Sequence, residues 1–121
     1  MTHLYLRSLG LALALLGATG LRAADPSPGQ RLFAACSVCH DTGKTNKQGP
    51  GLAGILGRPS AKAPGFRYSG AMKRAHLTWD AKTLDAYLAD PQAFVPGNTM
   101  PFPGVADAKA RADLIAYLKT L

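Results

Sequence analysis

Apolar residues recur at the spacing of an α-helix in three parts of the chain. In the first part, Ser27 can cap a helix and Pro28 suits its first position. The second helix should end at Pro91, and the third should extend to about Thr120. The expected cap of the second helix is Thr78 or Asp80, and that of the third is Asp107. The apolar stripes of the three helices, in chain order, are Leu32, Phe33 and Cys36; Leu84, Tyr87 and Leu88; and Leu114, Ile115, Leu118 and Leu121.

The segments between these helices are rich in glycine and proline. Residues 41–57 and 59–65 are punctuated as loops, while residues 69–74 can form one or two helical turns. Residues 94–104 hold three prolines and two glycines, which excludes both regular helix and central strand. Because no useful alternating pattern appears, the sequence predicts an all-α domain with long ordered loops. Long loops without regular structure are uncommon unless they pack against another group, so the pattern suggests a bound cofactor.

The first two dozen residues have the order of a secretory signal peptide. Arg7 precedes the uncharged run Leu9–Leu21, and the small residues Ala23 and Ala24 follow it. A bilayer span needs about 20 apolar residues, so this run is too short to cross. We predict cleavage after Ala23, which leaves residues 24–121 as a single exported domain, in a bacterial periplasm. An uncleaved membrane anchor is the alternative.

The charge of the mature chain is basic. Removal of residues 1–23 leaves twelve Lys and Arg against seven Asp, a net charge of +5. A basic balance could suit nucleic acid, an anionic membrane or an acidic protein. The chain has no dense Lys/Arg run with interleaved aromatics, and export also argues against nucleic acid. A domain of this size has only a marginal core of its own, so a bound cofactor would help to stabilise it.

The strongest chemical motif is Cys36-Ser-Val-Cys39-His40. A C-x-x-C-H string is typical of covalent haem c attachment. Three residues apart on a helical turn, both sulfurs face the same side and can each add to a haem vinyl group. His40 follows at once and can reach the iron. The competing interpretations are a thioredoxin-like dithiol, which lacks its βαβ setting, a structural disulfide and a zinc site with too few ligands.

A low-spin electron carrier also needs a second axial ligand. The candidates are Met100, in a proline-stiffened loop, and Met72 and His76. A methionine thioether is soft and neutral, so it raises the potential relative to a second histidine. Any of these methionines could instead fill a gap in the core.

From about Gly29 to Leu121 the chain resembles the class I cytochromes c, close in layout to the mitochondrial protein and its short bacterial relatives. The resemblance implies N- and C-terminal helices packed together, with a shorter helix and long loops around one haem. It also makes Met100 the second iron ligand. Beyond the haem motif, the blocks that carry it are Gly49–Leu52 with Leu56–Arg58, Ala63–Tyr68, Leu77–Trp79, Tyr87–Pro91, Val95–Met100 and Arg111–Leu118.

The same resemblance implies roles for residues around the iron. Pro50 would present its carbonyl to the free ring nitrogen of His40. Arg58, Tyr68 and Trp79 would satisfy the inner haem propionate, because a bare buried carboxylate is costly. From residue chemistry alone, Trp79 could equally be ordinary core and Arg58 an ordinary surface charge.

Further roles follow on the methionine side. Tyr87 would place its hydroxyl near the sulfur of Met100, and Phe102 would pack beside the haem. Asn98 stands where a threonine bonds a propionate, and Met72 stands where the mitochondrial pattern has an asparagine. Several lysines that ring the mitochondrial haem edge are also replaced, whereas Lys47 remains. The replacing residues are Ala35, Gln92, Ala93, Thr99, Ala106 and Asp107.

The resemblance implies a soluble periplasmic electron carrier with one haem c that cycles between Fe(II) and Fe(III). With both axial positions filled it would bind no small-molecule substrate and would not be an enzyme. Its partners would be redox proteins that dock transiently with a monomer: a quinol-oxidising cytochrome complex, a terminal oxidase, a reaction centre, or a periplasmic dehydrogenase or peroxidase. The alternative is a small haem enzyme or gas-binding sensor with a labile sixth ligand.

Overall fold

The structure, a computed structural model, describes residues 27–121, so the predicted signal peptide lies outside the described residues. The described part contains six helices and no strand, apart from one isolated bridge between Pro59 and Thr78. None of these helices is long and apolar enough to cross a membrane. The helices are α1 (Pro28–Leu32), α2 (Ala34–Ser37), α3 (Gly70–Ala75), α4 (Ala81–Ala89), α5 (Pro91–Phe94) and α6 (Ala108–Leu118).

The N-terminal helix is interrupted at Phe33, which separates α1 from α2. Ser27 caps α1 by accepting a hydrogen bond from the backbone N–H of Gln30 at 3.1 Å. Phe33 is 4% exposed, and its ring centroid lies 5.3 Å from that of Tyr117 on α6. Helix α1 packs against α6 more extensively than any other pair of helices packs together. The expected pairing of the two terminal helices is therefore present.

Of the two expected caps of α4, Asp80 is the one observed, accepting from the N–H of Thr83 at 2.7 Å. The region differs from the sequence prediction at Pro91. The helix ends at Ala89, and Pro91 does not simply terminate it but begins α5, which Asp90 caps. A proline in the first position of a helix has no N–H to lose, so it starts the new turn without cost.

Helix α6 begins after Asp107, as the sequence predicts, and its cap accepts from the N–H of Ala110 at 2.7 Å. Its last regular residue is Leu118 rather than a residue near Thr120. The predicted apolar stripes of α4 and α6 are buried, except that the last residue, Leu121, is only half-buried. The buried members of these stripes are Leu84, Tyr87, Leu88, Leu114, Ile115 and Leu118.

The long loop before α3 is fixed to the segment that leads into α4. Trp79 donates its backbone N–H to Arg58 O at 3.0 Å and accepts from Gly57 N–H at 2.9 Å. Ser60 donates its backbone N–H to Leu77 O at 2.8 Å, and its hydroxyl accepts from Leu77 N–H at 2.9 Å. These bonds place Trp79 at 7% exposure with its side chain among the core residues.

Candidate cofactor site

A cavity of about 370 Å³ occupies the centre of the described domain. The apolar stripes of the helices face this space, so Leu84 and Leu88 of α4 and Leu114 and Leu118 of α6 line it rather than filling it. A pocket of this size suits a drug-sized or larger planar group. All the site residues predicted from the sequence line the same cavity: Cys36, Cys39, His40, Pro50, Arg58, Tyr68, Trp79, Tyr87, Asn98, Met100 and Phe102.

The two cysteines lie on α2 and the turn that follows it. The N–H groups of Cys39 and His40 both donate to Cys36 O, at 3.1 and 2.9 Å, which continues the helical turn as far as the histidine. Both thiols are half-buried and free, and the thiol of Cys39 donates to Gln48 Oε1 at 3.3 Å. Burial raises the pKa of Cys36. The pair is thus presented to the cavity as two reduced thiols rather than as a disulfide.

His40 is held by the loop that crosses beside it. Its Nδ1 donates to the carbonyl of Pro50 at 2.8 Å, which fixes the tautomer and leaves Nε2 with a free lone pair. Burial lowers the pKa of His40, while the bond to Pro50 acts in the opposite direction. Gly49 packs so closely that an added Cβ would lie 2.7 Å from Nδ1. The ring is therefore held in one orientation, with an unprotonated Nε2 that could bind a metal.

Met100 also lines the cavity, where it contacts Tyr87. The Tyr87 hydroxyl lies 3.8 Å from Met100 Sδ, and its ring packs on Trp79 with centroids 4.9 Å apart. Burial raises the pKa of Tyr87 to about 12, so the hydroxyl keeps its proton at neutral pH and can donate to sulfur. The sequence prediction that the hydroxyl lies near this sulfur is matched by the contact.

The other two candidate axial ligands have different positions. Met72 is 8% exposed and also lines the cavity, whereas His76 is exposed and does not. His76 ends α3 in the left-handed conformation, with φ of 48°. The cavity therefore contains two thioethers, Met72 and Met100, and only Met100 has a hydroxyl beside its sulfur among the described residues.

Asn98 has contacts other than those expected for a propionate donor. Its Nδ2 donates to Pro91 O at 2.8 Å and to Val95 O at 2.9 Å, which engages both amide hydrogens. Its Oδ1 accepts from the backbone N–H of Met100 at 2.9 Å. The residue is 7% exposed. Asn98 thus holds the chain on both sides of Met100 in place instead of directing a donor into the cavity.

The cavity lining includes two of the donors for which the family resemblance implies contact with a propionate. Arg58 donates through its two terminal nitrogens to Ala53 O at 3.3 Å and Gly51 O at 3.1 Å, so the guanidinium is already oriented. The Tyr68 hydroxyl accepts from Ala63 N–H at 3.0 Å, which leaves its own hydrogen free to donate. A carboxylate placed here would meet a fixed cation and a hydroxyl donor.

Several lining residues were not anticipated from the sequence. Gln48 accepts a hydrogen bond from the Cys39 thiol, and Gly49 leaves space for the His40 ring. The ring of Phe66 packs edge-on against that of Tyr68, with ring centroids 4.8 Å apart. Sequence spacing gave no signal for Gln48, because the closure of its loop depends on distant contacts, and Phe66 was within a quoted motif but had no assigned role. The glycine at position 49 was within a quoted motif, but its reason is visible only in the packed structure.

The residues present fit a haem. Two thiols on one turn, a neutral imidazole with its other nitrogen bonded, and thioethers elsewhere in the cavity are ligands that iron accepts in proteins. The surrounding walls are mostly apolar, and they include one cation, Arg58, that could pair with a carboxylate. The described residues hold no group of three or more His, Cys, Asp or Glu that could bind a bare metal ion. An iron already held by a porphyrin needs only two protein ligands.

Comparison with known proteins gives matches along most of the chain. The family model described as Cytochrome c matches residues 26–121. Cytochrome c2 of Rhodomicrobium vannielii is 42% identical over 122 residues, which cover 99% of this chain and 97% of that protein. Cytochrome c of Chlamydomonas reinhardtii is 47% identical over 100 residues, covering 80% and 89%. The solved structure of cytochrome cH from Methylobacterium extorquens has a TM-score of 0.75 and 44% identity, covering 78% of this chain and 96% of that one.

Proposed function

The chain belongs to the cytochrome c family and carries haem c through its Cys36 and Cys39 pair, and from this premise we propose the role of each residue around the haem. The bound haem supplies one-electron chemistry, since its iron changes between Fe(II) and Fe(III). The protein is an electron carrier that serves redox partners.

We propose that His40 and Met100 are the two axial ligands. The observation that carries this assignment is the 2.8 Å bond from His40 Nδ1 to Pro50 O, because it leaves Nε2 as the nitrogen available to iron. The contact between Tyr87 and Met100 Sδ supports Met100 over Met72. With both axial positions taken by protein, the iron offers no place for a substrate, and the chain acts as a carrier rather than an enzyme.

The remaining site residues orient and enclose the haem. Arg58, Tyr68 and Trp79 receive the inner propionate, and Phe102 packs beside the ring. Asn98 serves the site indirectly by bracing the loop that presents Met100, as its three hydrogen bonds support. Trp79 and Phe102 would also help to exclude water from the mostly apolar cavity that holds the haem.

We further propose that residues 1–23 direct export to the periplasm and are removed, leaving residues 24–121 as a soluble monomer. Its partners there would be a quinol-oxidising cytochrome complex, a terminal oxidase, a reaction centre, or a periplasmic dehydrogenase or peroxidase. The uncharged run in the leader and the small residues after it support this location. Mass spectrometry of the exported product should find a chain that begins at Ala24 and carries one haem.

A redox titration followed by optical spectroscopy tests the ligand assignment. The ferric protein should be low-spin, with the far-red band of a methionine sulfur ligand, and should not bind carbon monoxide readily when reduced. Met100→Leu should lose the band and become high-spin, while the matched variant Met72→Leu should keep it. A high-spin wild type with ready carbon monoxide binding would instead indicate an enzyme or a gas sensor, and loss of the band in Met72→Leu would reverse the assignment.

A further inference from the structure

The cavity opens to solvent through residues that carry no charge. Five residues line the cavity and are also exposed, and we call this set the rim: Ala35, Val38, Gln48, Thr99 and Pro101. None of them has an ionisable side chain. Val38 is 74% exposed, the greatest exposure of any large hydrophobic residue in the described part of the chain.

Seven of the twelve Lys and Arg of the described part lie in residues 42–79, which contain no acidic residue, and six of these seven do not line the cavity. Of the cations in the described part, only Arg58 lines the cavity, and two of its nitrogens are bonded to Gly51 O and Ala53 O. Lys47 is the cation that approaches the rim, because its Nζ donates to Ser37 O, next to Val38, at 2.7 Å. A net positive molecule therefore presents an almost neutral opening.

We propose that the rim is the surface that docks the redox partner, and that the partner presents an uncharged, apolar patch to it rather than an acidic one. The proposal rests on the assigned function, because electrons must leave the cavity at its solvent-exposed edge. Acidic partners are steered by rings of cations, and a single lysine beside the rim cannot supply such a ring. Val38 and the neutral side chains around it instead lose little hydration when covered by an apolar surface.

The charge of the rim can be measured without any partner. Paramagnetic broadening of backbone amides by a cationic and an anionic nitroxide should be compared in the reduced, diamagnetic protein. We expect the rim amides to be broadened about equally by both probes. Amides near Lys62, Arg67 and Lys73 should be broadened more by the anionic probe. Preferential broadening of the rim amides by the anionic probe would overturn the proposal.

Electron-transfer kinetics test the same claim at the opening. Hexacyanoferrate(III) takes one electron from the reduced haem, which gives Fe(III) haem and hexacyanoferrate(II). We expect the wild-type rate to fall only weakly with added salt. The fall should be smaller than the net positive charge of the protein predicts for reaction with an anion. Ala35→Lys should raise the rate several-fold at low salt and make it strongly salt-dependent, whereas Ala112→Lys, an equal charge change on the exposed surface of α6, should stay near wild type.

A steep salt dependence in the wild type, or the same response from both lysine variants, would overturn the proposal. Complete failure of the reduced protein to pass an electron would contradict the assigned function, which is a distinguishable result. The two outcomes cannot be confused, because a working carrier with a charged opening still reacts.

The apolar part of the proposal is tested by voltammetry on mixed methyl- and hydroxyl-terminated alkanethiol monolayers. Val38→Thr, which exchanges a methyl group for a hydroxyl group, should slow electron transfer several-fold on this surface, while Ala116→Ser should not. Faster transfer on a carboxylate-terminated monolayer than on the mixed one would overturn the assignment.

A wild-type dimer in sedimentation velocity that Val38→Asp converts to monomers would assign the rim to a second copy and would also overturn the proposal.

Discussion

Asn98 shows how a single side chain can serve a ligand that it does not touch. It joins Pro91 and Val95 on one side to Met100 on the other, through bonds of 2.8 to 2.9 Å in a nearly water-free position. Each such bond stabilises by about 1 kcal/mol, and a buried group left without its partner costs more. Asn98 therefore restricts the freedom of the loop that presents the thioether.

Replacement of Asn98 should weaken this restriction. Asn98→Asp keeps the oxygen that accepts from Met100 N–H but loses both N–H donors. Its carboxylate would then face the carbonyl oxygens of Pro91 and Val95, so we expect a loss of about 2–3 kcal/mol in unfolding free energy. Denaturant unfolding of the haem-loaded protein measures it, and the far-red band should weaken in parallel. Gln92→Ala, which removes one part-buried bond to Asn98 O, is the control and should cost less than about 1 kcal/mol. Equal stabilities would contradict the bracing role.

The hydroxyl of Tyr87 contacts the sulfur of Met100. A donor in this position would draw electron density from the sulfur and, if Met100 binds the iron as proposed, would make it a poorer ligand for Fe(III). Tyr87→Phe removes the donor and keeps the ring packed on Trp79, so the reduction potential should fall. A bond worth about 0.5 kcal/mol corresponds to about 20 mV for a one-electron couple. Potentiometric titration measures the shift, and an unchanged or higher potential would show that the hydroxyl does not act on the sulfur.

At the scale of elements, the contact between α1 and α6 depends on one missing side chain. A Cβ added at Gly29 would collide with the carbonyl of Asp113 and would lie 2.8 Å from Tyr117 Cβ. The two helices therefore approach as closely as they do because position 29 has only hydrogen on its α-carbon. The same contact brings the Phe33 ring against Tyr117.

Gly29→Ala should force α1 away from α6. Overpacking of this kind costs about 1–3 kcal/mol, and we expect the upper end because backbone atoms collide. The unfolding midpoint in denaturant measures the loss. Gln30→Ala, an exposed neighbour on the same helix, is the control and should change stability by less than about 0.5 kcal/mol. A stability near wild type for Gly29→Ala would show that the helices can shift without loss.

The loop that carries Met100 has no lysine close along the chain. Gln92, Ala93 and Thr99 occupy the positions from which a lysine could replace the sulfur, and no lysine lies between Lys82 and Lys109. We therefore expect the far-red band of the ferric protein to persist well into alkaline pH and to yield finally to hydroxide or to a distant lysine. Optical titration measures it. Thr99→Lys should lower the midpoint, and a lysine-ligated wild type at mildly alkaline pH would contradict the prediction.

The helices could be predicted from the sequence to different degrees. Asp80 and Asp107 precede clear apolar stripes, so α4 and α6 were predicted with their buried faces. The break at Phe33 and the short α5 were missed, because a few residues of helix carry no periodic signal and their geometry is set by packing. Asp90 and Pro91 could have signalled α5, since an acidic cap before proline is a helix start.

The residues of the candidate site could likewise be predicted from the sequence to different degrees. The haem motif places Cys36 and His40 by spacing alone, because adjacent positions on one turn need no knowledge of the rest of the fold. The hydrogen bonds of Asn98 could not be predicted, since an amide can point into the cavity or back at its own loop with equal chemistry. The loop's closure decides between them, and closure depends on residues far apart in sequence.

At the scale of the whole molecule, the cavity occupies the place of a core. Without the haem, the apolar side chains that line this space of about 370 Å³ would lose their packing partner, and part of their surface would be exposed to water. The double variant Cys36→Ser and Cys39→Ser, which cannot hold haem covalently, should therefore lose cooperative unfolding and near-ultraviolet circular dichroism. Ser37→Ala keeps both thiols and should retain them. A haem-free variant that unfolds cooperatively would contradict this account.

The pairing of α1 with α6 also sets an order of events during biogenesis. Helix α6 lies far downstream of the Cys36–His40 segment, so the domain cannot close until almost all of the chain has been delivered. Until then, the attachment segment stays reachable by the machinery that ligates the haem. We therefore expect haem attachment to precede the pairing of α1 with α6, and a chain truncated before α6 should still accept haem at Cys36 and Cys39.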